Sequence, residues 1–409
     1  MTIWILAVVL LASVAALGFR QGAIRVAFSF LGIVIGALLA APLGHLLKPV
    51  LPAIGIKSPL LTWIVPPIFV FIVLLALFKF GGLITHKKIE VYYKYKAGDL
   101  RLALWERLNH RIGLCLGVFN GVAYLVLISL AIYMISYWTY QTSTNNDPRT
   151  IRIVNRMGKD LETTGMSKVA VSVDGTSKNF YEMADIAGMI YQTPLLEARL
   201  SRYPAFLALG ERPEFQELAS DTTFTDLRLQ RAPLQAVLDN PTVQKILDNP
   251  ESLKAIHDAL IPNLQDLSAF LATGQSPKYS SEPILGRWSF DVNGAIALVR
   301  KDKPNILPKQ MAAVKQWLAT GFAKTEFVAA PEPERQVFLK NIPHPKITPG
   351  APPTFDMETG KGEWNGADGK YQVTLTENGK QQQMTAVIEG SRLTLTGGEG
   401  SGYAFVRED

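Results

Sequence analysis

The chain has 409 residues, of which 48% are hydrophobic, and it carries 41 Lys and Arg against 35 Asp and Glu. The charge is uneven, because residues 1–140 hold 12 basic and 3 acidic residues, whereas the remainder holds 29 basic and 32 acidic ones. No basic patch with interleaved aromatic residues occurs in the second part, which argues against nucleic-acid binding. The single Cys115 excludes an intrachain disulfide and a cysteine-based metal site.

Four apolar stretches dominate the first 140 residues, at roughly 3–18, 27–47, 60–85 and 112–138. A helix of about 20 apolar residues crosses the hydrocarbon core of a bilayer, so the stretches predict four transmembrane helices. A cleaved signal peptide is the alternative for the first stretch. No basic residue precedes that stretch, and Arg20 follows it where small residues would mark a cleavage site, which favours a retained helix.

The basic residues of the loops predict the orientation. The link between the first two helices carries Arg20 and Arg25, and the link between the last two carries seven Lys and Arg from 87 to 111. Short loops rich in Lys and Arg face the cytoplasm. We therefore expect a protein of the bacterial inner membrane with four spans, both termini in the periplasm, and the larger part of the chain outside.

The loop at 86–111 has a pattern of its own. Leu100, Leu104, Leu108 and Ile112 recur every four residues beside Trp105, with arginines on other faces. This pattern predicts an amphipathic helix in the headgroup plane, with its cations on anionic lipid headgroups. The alternative is an extension of the fourth helix into the cytoplasm.

Small residues recur every four positions on two of the helices. The second helix has Gly32, Gly36, Ala40 and Gly44, and the fourth has Gly113, Gly117 and Gly121. Such ridges let helices approach closely in lipid, so they predict that these two helices pack on each other or on copies of themselves in a homo-oligomer. Asn120 lies in the same helix, where we expect an interhelical hydrogen bond.

The segment Gly18-Phe19-Arg20-Gln21-Gly22-Ala23-Ile24-Arg25 resembles the G-[FY]-R-x-G-x-[IV]-R signature of the colicin V production protein (CvpA) family. Arg111-Ile112-Gly113-x-x-x-Gly117 resembles the signature of that family's last helix. The resemblance covers residues 1–140, with two departures: Val26 replaces a common acidic residue, and Asn109-His110 a frequent acidic-basic pair. It implies an inner-membrane protein associated with peptide-toxin export and envelope physiology, without a catalytic residue set. The candidate motif and packing residues are Gly18, Arg20, Gly22, Arg25, Gly32, Gly36, Gly44, Arg111, Gly113, Gly117, Asn120 and Gly121.

Residues 141–280 predict a small all-α periplasmic segment. Asn240-Pro241 and Asn249-Pro250 form a nine-residue repeat, and Asn followed by Pro is a strong signal for the start of a helix. The segment is either an ordinary helical domain or one with a peptide-binding groove.

Residues 281–409 predict an antiparallel β meander or barrel, with one inserted helix near 308–322 and a Pro-rich insert near 343–353. The opening Gly-x-Trp and the closing Arg resemble lipocalin-like (calycin) barrels. That resemblance implies a structural pair of Trp288 and Arg407.

Neither a catalytic nor a cofactor-binding constellation is apparent, and the five dispersed histidines show no metal-ligand spacing. We therefore expect a non-enzymatic membrane protein that tethers a periplasmic interaction domain to export or envelope-maintenance proteins. The alternative is a small oligomeric transporter or channel component.

Overall fold

The structure is a computed structural model that describes residues 2–54, 59–96, 98–145, 147–193, 195–331, 335–346, 354–377, 379–397 and 402–408. The chain forms two compact units. The first comprises Met1–Gly188 and Gln230–Pro250, and the second Met189–Leu229 and Glu251–Asp409.

Four helices long and apolar enough to cross a membrane begin the first unit, which confirms the four predicted spans. They are α1 (Thr2–Gln21), α2 (Ala23–Leu47), α3 (Pro59–Lys96) and α4 (Asp99–Gln141). A 3₁₀ segment, Lys48–Ile54, follows α2. The helix α1 packs along α4, and α2 packs along α3 and α4.

The helices α3 and α4 are much longer than a span requires. They contain 38 and 43 residues, about 57 and 64 Å at 1.5 Å per residue, whereas the hydrocarbon core is about 30 Å thick. The prediction of a separate helix in the headgroup plane is wrong, because Asp99–Gln141 is one uninterrupted helix. No proline interrupts this stretch, and the chain reverses at Gly98, whose φ is +79°.

Short helices follow α4, as the sequence predicts. They are α5 (Arg149–Thr163), α6 (Met166–Ser172), α7 (Lys178–Gln192), α8 (Leu195–Leu200), α9 (Leu207–Gly210), α10 (Pro213–Ser220), α11 (Thr222–Leu229), α12 (Leu234–Leu238), α13 (Pro241–Leu247), α14 (Pro250–Leu260) and α15 (Leu264–Thr273). The Asn-Pro starts are confirmed. Asn240 caps α13 by accepting from the backbone N–H groups of Thr242 and Val243, and α14 begins at Pro250.

The second unit contains a closed, fully antiparallel eight-stranded barrel in which each strand pairs with the next and the last pairs with the first. Its strands are β1 (Gly286–Phe290), β2 (Glu326–Ala329), β3 (Gln336–Lys346), β4 (Thr354–Ala367), β5 (Lys370–Glu377), β6 (Lys380–Glu389), β7 (Arg392–Thr396) and β8 (Tyr403–Arg407). The connection from β1 to β2 holds the expected helix, α17 (Pro308–Gly321), and a second one, α16 (Val292–Asp302). Residues 343–346 of the Pro-rich insert belong to β3, and residues 347–353 lie outside the described residues.

Alternate residues of each strand point into the barrel and fill it. Trp288, Phe327, Tyr371 and Phe405 are each at most 1% exposed within one continuous apolar core. The interior of an eight-stranded barrel is just wide enough for such side chains to fill it.

Candidate functional site

The turn between α1 and α2 is the centre of the signature-like segment, and we call this end of the bundle the turn end. Gly22 has a φ of +81°, and a Cβ added there would lie 2.2 Å from Nδ2 of buried Asn109. A side chain is therefore excluded by backbone conformation and by space. Beside it, Nδ1 of His110 lies 2.6 Å from the carbonyl oxygen of Phe19. The pair Asn109-His110, a departure from the family pattern, thus holds the turn against α4.

The three arginines of the motifs have different environments at the turn end. Arg20 and Arg111 are exposed. Arg25 is half-buried, and its Nε is a buried atom with no hydrogen-bond partner in the described part of the chain. Nδ1 of the buried His86 has none there either. Arg25 and His86 therefore retain unused donor or acceptor capacity.

The glycines of α4 contact α1. A Cβ on Gly117 would lie 2.8 Å from the Val14 carbonyl oxygen, and one on Gly113 would lie 2.5 Å from the Gly18 carbonyl oxygen. Conversely, a Cβ on Gly18 would lie 2.4 Å from the carbonyl oxygen of Gly113. At Gly121 the nearest atom is a side-chain carbon of Leu11, at 2.9 Å. We call this contact the α1–α4 seam.

The glycines of α2 face α3 instead. A Cβ on Gly32 would lie 2.8 Å from Cβ of Phe78, and one on Gly36 would lie 3.0 Å from the ring of Phe71. A Cβ on Gly44 would lie 3.0 Å from the backbone nitrogen of Pro67. The helices α2 and α4 therefore lie against each other, as expected, but their glycine ridges face α3 and α1 respectively.

The direct contact between α2 and α4 includes a polar bond. Asn120 donates from Nδ2 to the carbonyl oxygen of Val26 at 3.2 Å. The buried face of α4 is made of small and polar residues, namely Asn109, Gly113, Gly117, Asn120, Gly121, Ser129 and Ser136, with Leu125 the exception. Oδ1 of Asn120 and Oγ of Ser129 have no partner among the described residues. This face is a polar stripe at membrane depth.

Aromatic rings join α3 and α4 beyond the turn end. Tyr93 stacks on Trp105 with ring centroids 5.4 Å apart, and His86 lies 5.7 Å from the same indole. The segment 86–111 is therefore a helical hairpin with an ordered aromatic contact rather than a loop.

At its other end, which we call the linker end, α4 is held by α5, α6 and α7. Asp185 accepts hydrogen bonds from Tyr137 Oη and Gln141 Nε2, both at 2.8 Å. Thr139 donates to Asn155 at 2.5 Å. The would-be Cβ of Gly158 lies 2.4 Å from Ser136 Oγ, so α5 approaches α4 as closely as a glycine allows. The helices α5 and α7 thus clamp the last two turns of α4 through partly buried polar bonds, and α6 packs on α4 beside them.

The loop before α7 carries a second polar pair. Tyr181 donates to the Asp174 carboxylate, which also accepts from the backbone N–H of Thr176 at 2.9 Å. Burial alone would raise the pKa of Asp174, but the hydrogen bonds from Thr176 and Tyr181 outweigh it and bring the pKa below its usual value. Burial and the bond to Asp174 raise the pKa of Tyr181.

In the barrel, the guanidinium of Arg407 lies over the ring of Trp288, 4.5 Å from its centroid. The two residues are register partners in the β1–β8 ladder that closes the barrel. Arg407 also donates to the carbonyl oxygen of Pro283, and Trp288 Nε1 donates to that of Ile284 at 2.9 Å. The pair therefore joins both ends of the barrel sheet to the chain segment that enters it.

One cluster has no signal in the sequence. Nε2 of His344 lies 2.8 Å from Oε1 of Glu377 and 3.3 Å from Oε2 of Glu358. The three residues come from β3, β4 and β5 and are 14 and 19 positions apart, so no spacing motif could have indicated them.

Residues 3–157 match the model of a family described as Colicin V production protein. The matched range contains all four long helices, the turn end and the first half of α5. No curated protein and no solved structure matches the chain. The N-terminal part is therefore similar to the colicin V production family, and the barrel lies beyond the matched range.

Proposed function

We propose that this protein is a non-enzymatic inner-membrane protein of the colicin V production type that tethers an extramembrane β-barrel to proteins of export or envelope maintenance. The family match over residues 3–157 supports the connection to that process. The feature that carries the tethering role is α4, one continuous helix that forms the α1–α4 seam and is clamped by α5–α7 at its linker end. The clamp fixes the direction in which the chain leaves α4 after the last span.

The aromatic residues of α4 support a position for the membrane. Trp105 lies near the turn end and Tyr133 near the linker end, and their separation of 28 positions corresponds to about 42 Å of helix. A bilayer with its headgroup regions is about 40–45 Å thick, and Trp and Tyr concentrate at its two interfaces. The basic residues cluster at the turn end, which supports a cytoplasmic turn end with anionic lipid headgroups as partners, and both termini in the periplasm.

The barrel is the proposed interaction module. Its closed eight-stranded meander and its Trp288–Arg407 pair support the likeness to lipocalin-like domains. Its interior is occupied by its own large side chains, so recognition of a partner by the outer surface is favoured over a carried apolar ligand.

The test is photo-crosslinking in cells, combined with a topology reporter. A crosslinking amino acid at exposed Val406 of the barrel should capture discrete envelope proteins, whereas one at the lipid-exposed position Leu77 of α3 should not. A reporter fused after Asp409 should be active only in the periplasm. Cytoplasmic activity of the reporter contradicts the orientation, and capture from Leu77 alone contradicts the tethering role.

The polar stripe of α4 favours a second function, a transporter or channel component, because unpaired polar atoms at membrane depth often mark a solute path. Reconstituted liposomes would then show a flux that Asn120→Leu reduces, while Phe119→Leu on the neighbouring exposed position leaves it unchanged. Absence of protein-dependent flux for ions and small metabolites leaves the tethering role as the better account.

A further inference from the structure

The barrel mouth contains a cluster that neither the family match nor the proposed tethering role uses. We propose that His344, Glu358 and Glu377 form a binding site for one divalent transition-metal ion, of which Zn²⁺ is the best representative. The ligand atoms of the three side chains all lie within 4.8 Å of one another.

The sheet geometry explains why these side chains converge. Along β5, Tyr371, Val373 and Leu375 point into the apolar core, and Glu377 is the next position of the same series. Along β4, Glu358 follows the inward series of Trp364, and the two strands are hydrogen-bonded neighbours. The two glutamates therefore lie in the last layer of the barrel interior, directly above the apolar core.

A β-bulge brings His344 into the same layer. The register of β3 against β4 shifts between Leu339 and Ile342, so both of these residues are buried in the core although they are three positions apart. Without the shift, His344 would point outward. The shift is centred on Asn341, which has a φ of +54° and donates from Nδ2 to the carbonyl oxygen of Lys324 at 2.8 Å. Bulges commonly re-aim a side chain in this way beside functional sites.

The chemistry of the set fits a transition metal. One imidazole with two carboxylates supplies three anionic or neutral donors, as sites for Zn²⁺ and related ions do. Tetrahedral Zn²⁺ with bonds of about 2.0–2.1 Å requires ligand atoms about 3.3 Å apart. The separation of His344 from Glu358 is 3.3 Å, and that from Glu377, at 2.8 Å, needs to open by about half an ångström.

An ion can reach the three side chains from solvent, and they leave one ligand position of the metal free, as an exchangeable metal site requires. The side chains of His344, Glu358 and Glu377 are 43%, 34% and 16% exposed, so an ion can enter from the barrel mouth. Three protein ligands leave a fourth position for water.

The experiment uses the full-length chain without an affinity tag, purified in detergent and treated with a chelator. Titration calorimetry with ZnCl₂ should give one saturable site per chain, and Co²⁺ should give visible absorption bands of low-coordinate geometry. His344→Ala and Glu377→Gln should each weaken binding by at least about tenfold, since even the loss of a group that only supports a ligand costs 10–100-fold.

The matched control is His257→Ala. His257 pairs with the carboxylate of Asp258 at 3.2 Å, and its side chain is 68% exposed. Among the described residues, no third ligand joins this pair. Binding in this variant should equal that of the unmodified chain. The proposal is overturned if the chain binds neither Zn²⁺ nor Co²⁺ with a Kd below about 100 µM, which is about 10³-fold weaker than a site with a Kd of about 0.1 µM. Equal binding in the His344→Ala, Glu377→Gln and His257→Ala variants overturns it as well.

Discussion

The α1–α4 seam predicts that a single methyl group at Gly117 destabilises the bundle. An alanine Cβ there would lie 2.8 Å from the Val14 carbonyl oxygen, 3.0 Å from Ala15 Cα and 3.2 Å from Gly18 Cα. All three atoms belong to the backbone of α1, so rotation of a side chain cannot relieve the contact. The two helices must separate by roughly 0.5–1 Å, which forfeits a quarter to a half of each dispersion contact along the seam.

The size of the effect follows from two opposing terms. Overpacking of this kind lowers the free energy of unfolding by about 1–3 kcal/mol. Replacing a helical glycine by alanine raises it by about 0.5–1 kcal/mol. We expect Gly117→Ala to lose about 1–2 kcal/mol net. The matched control is Gly81→Ala in α3, where the added Cβ meets the Phe28 ring at 3.5 Å, an ordinary contact. That variant should be neutral or slightly more stable.

Reversible unfolding in mixed detergent micelles, followed by far-ultraviolet circular dichroism, measures both variants. The stability of Gly36→Ala should lie between those of the two variants, because the added Cβ would meet the ring of Phe71, which can rotate, rather than backbone atoms. A Gly117→Ala protein as stable as the Gly81→Ala protein would show that the α1–α4 seam is not close-packed.

Three further predictions concern other parts of the molecule. Gly22→Ala should cost more than any seam variant, at about 3 kcal/mol or above, because a positive φ and a steric clash add; the same unfolding assay measures it. Arg407→Met should destabilise the β1–β8 closure by about 1–2 kcal/mol through the lost contact with Trp288, which hydrogen exchange of β1 and β8 reports, with unchanged protection contradicting it. The lowered pKa of Asp174 contributes stability that is present above about pH 3.9, its unfolded pKa, and is lost as pH falls through the lower folded value. Tyr181→Phe should therefore lower the melting temperature at neutral pH, and the difference from the unmodified chain should shrink as the pH falls below about 3.9; a difference independent of pH would exclude this linkage.

The sequence predicts the elements of this fold well, because each has a local signal. Apolar length indicates the four spans, Asn240-Pro241 indicates the start of α13, and strict alternation indicates the barrel strands. The extension of α4 is one of the two structures that the sequence allows for residues 86–111, and the leucines from Leu100 to Leu108 favour it because they continue into the apolar run without a breaker.

The partners of those elements could not be predicted in the same way. A ridge such as Gly113 and Gly117 indicates close approach but not the helix approached, and its partner proved to be α1. The cluster of His344, Glu358 and Glu377 depends on a register shift at Asn341, and no turn residue in the sequence indicates that shift. Contacts between residues distant in sequence depend on the whole fold, whereas caps and periodicity depend on neighbours.

The extent of the family match bears on where function lies. The matched range ends at residue 157, immediately before Gly158, whose close approach to Ser136 brings α5 against α4. The clamp at the linker end therefore begins inside the range shared with the family, whereas the barrel lies outside it. The turn end and the α1–α4 seam lie inside the matched range. The proposed metal site at His344 lies in the barrel, so a test of that site is independent of the part of the chain that resembles the family.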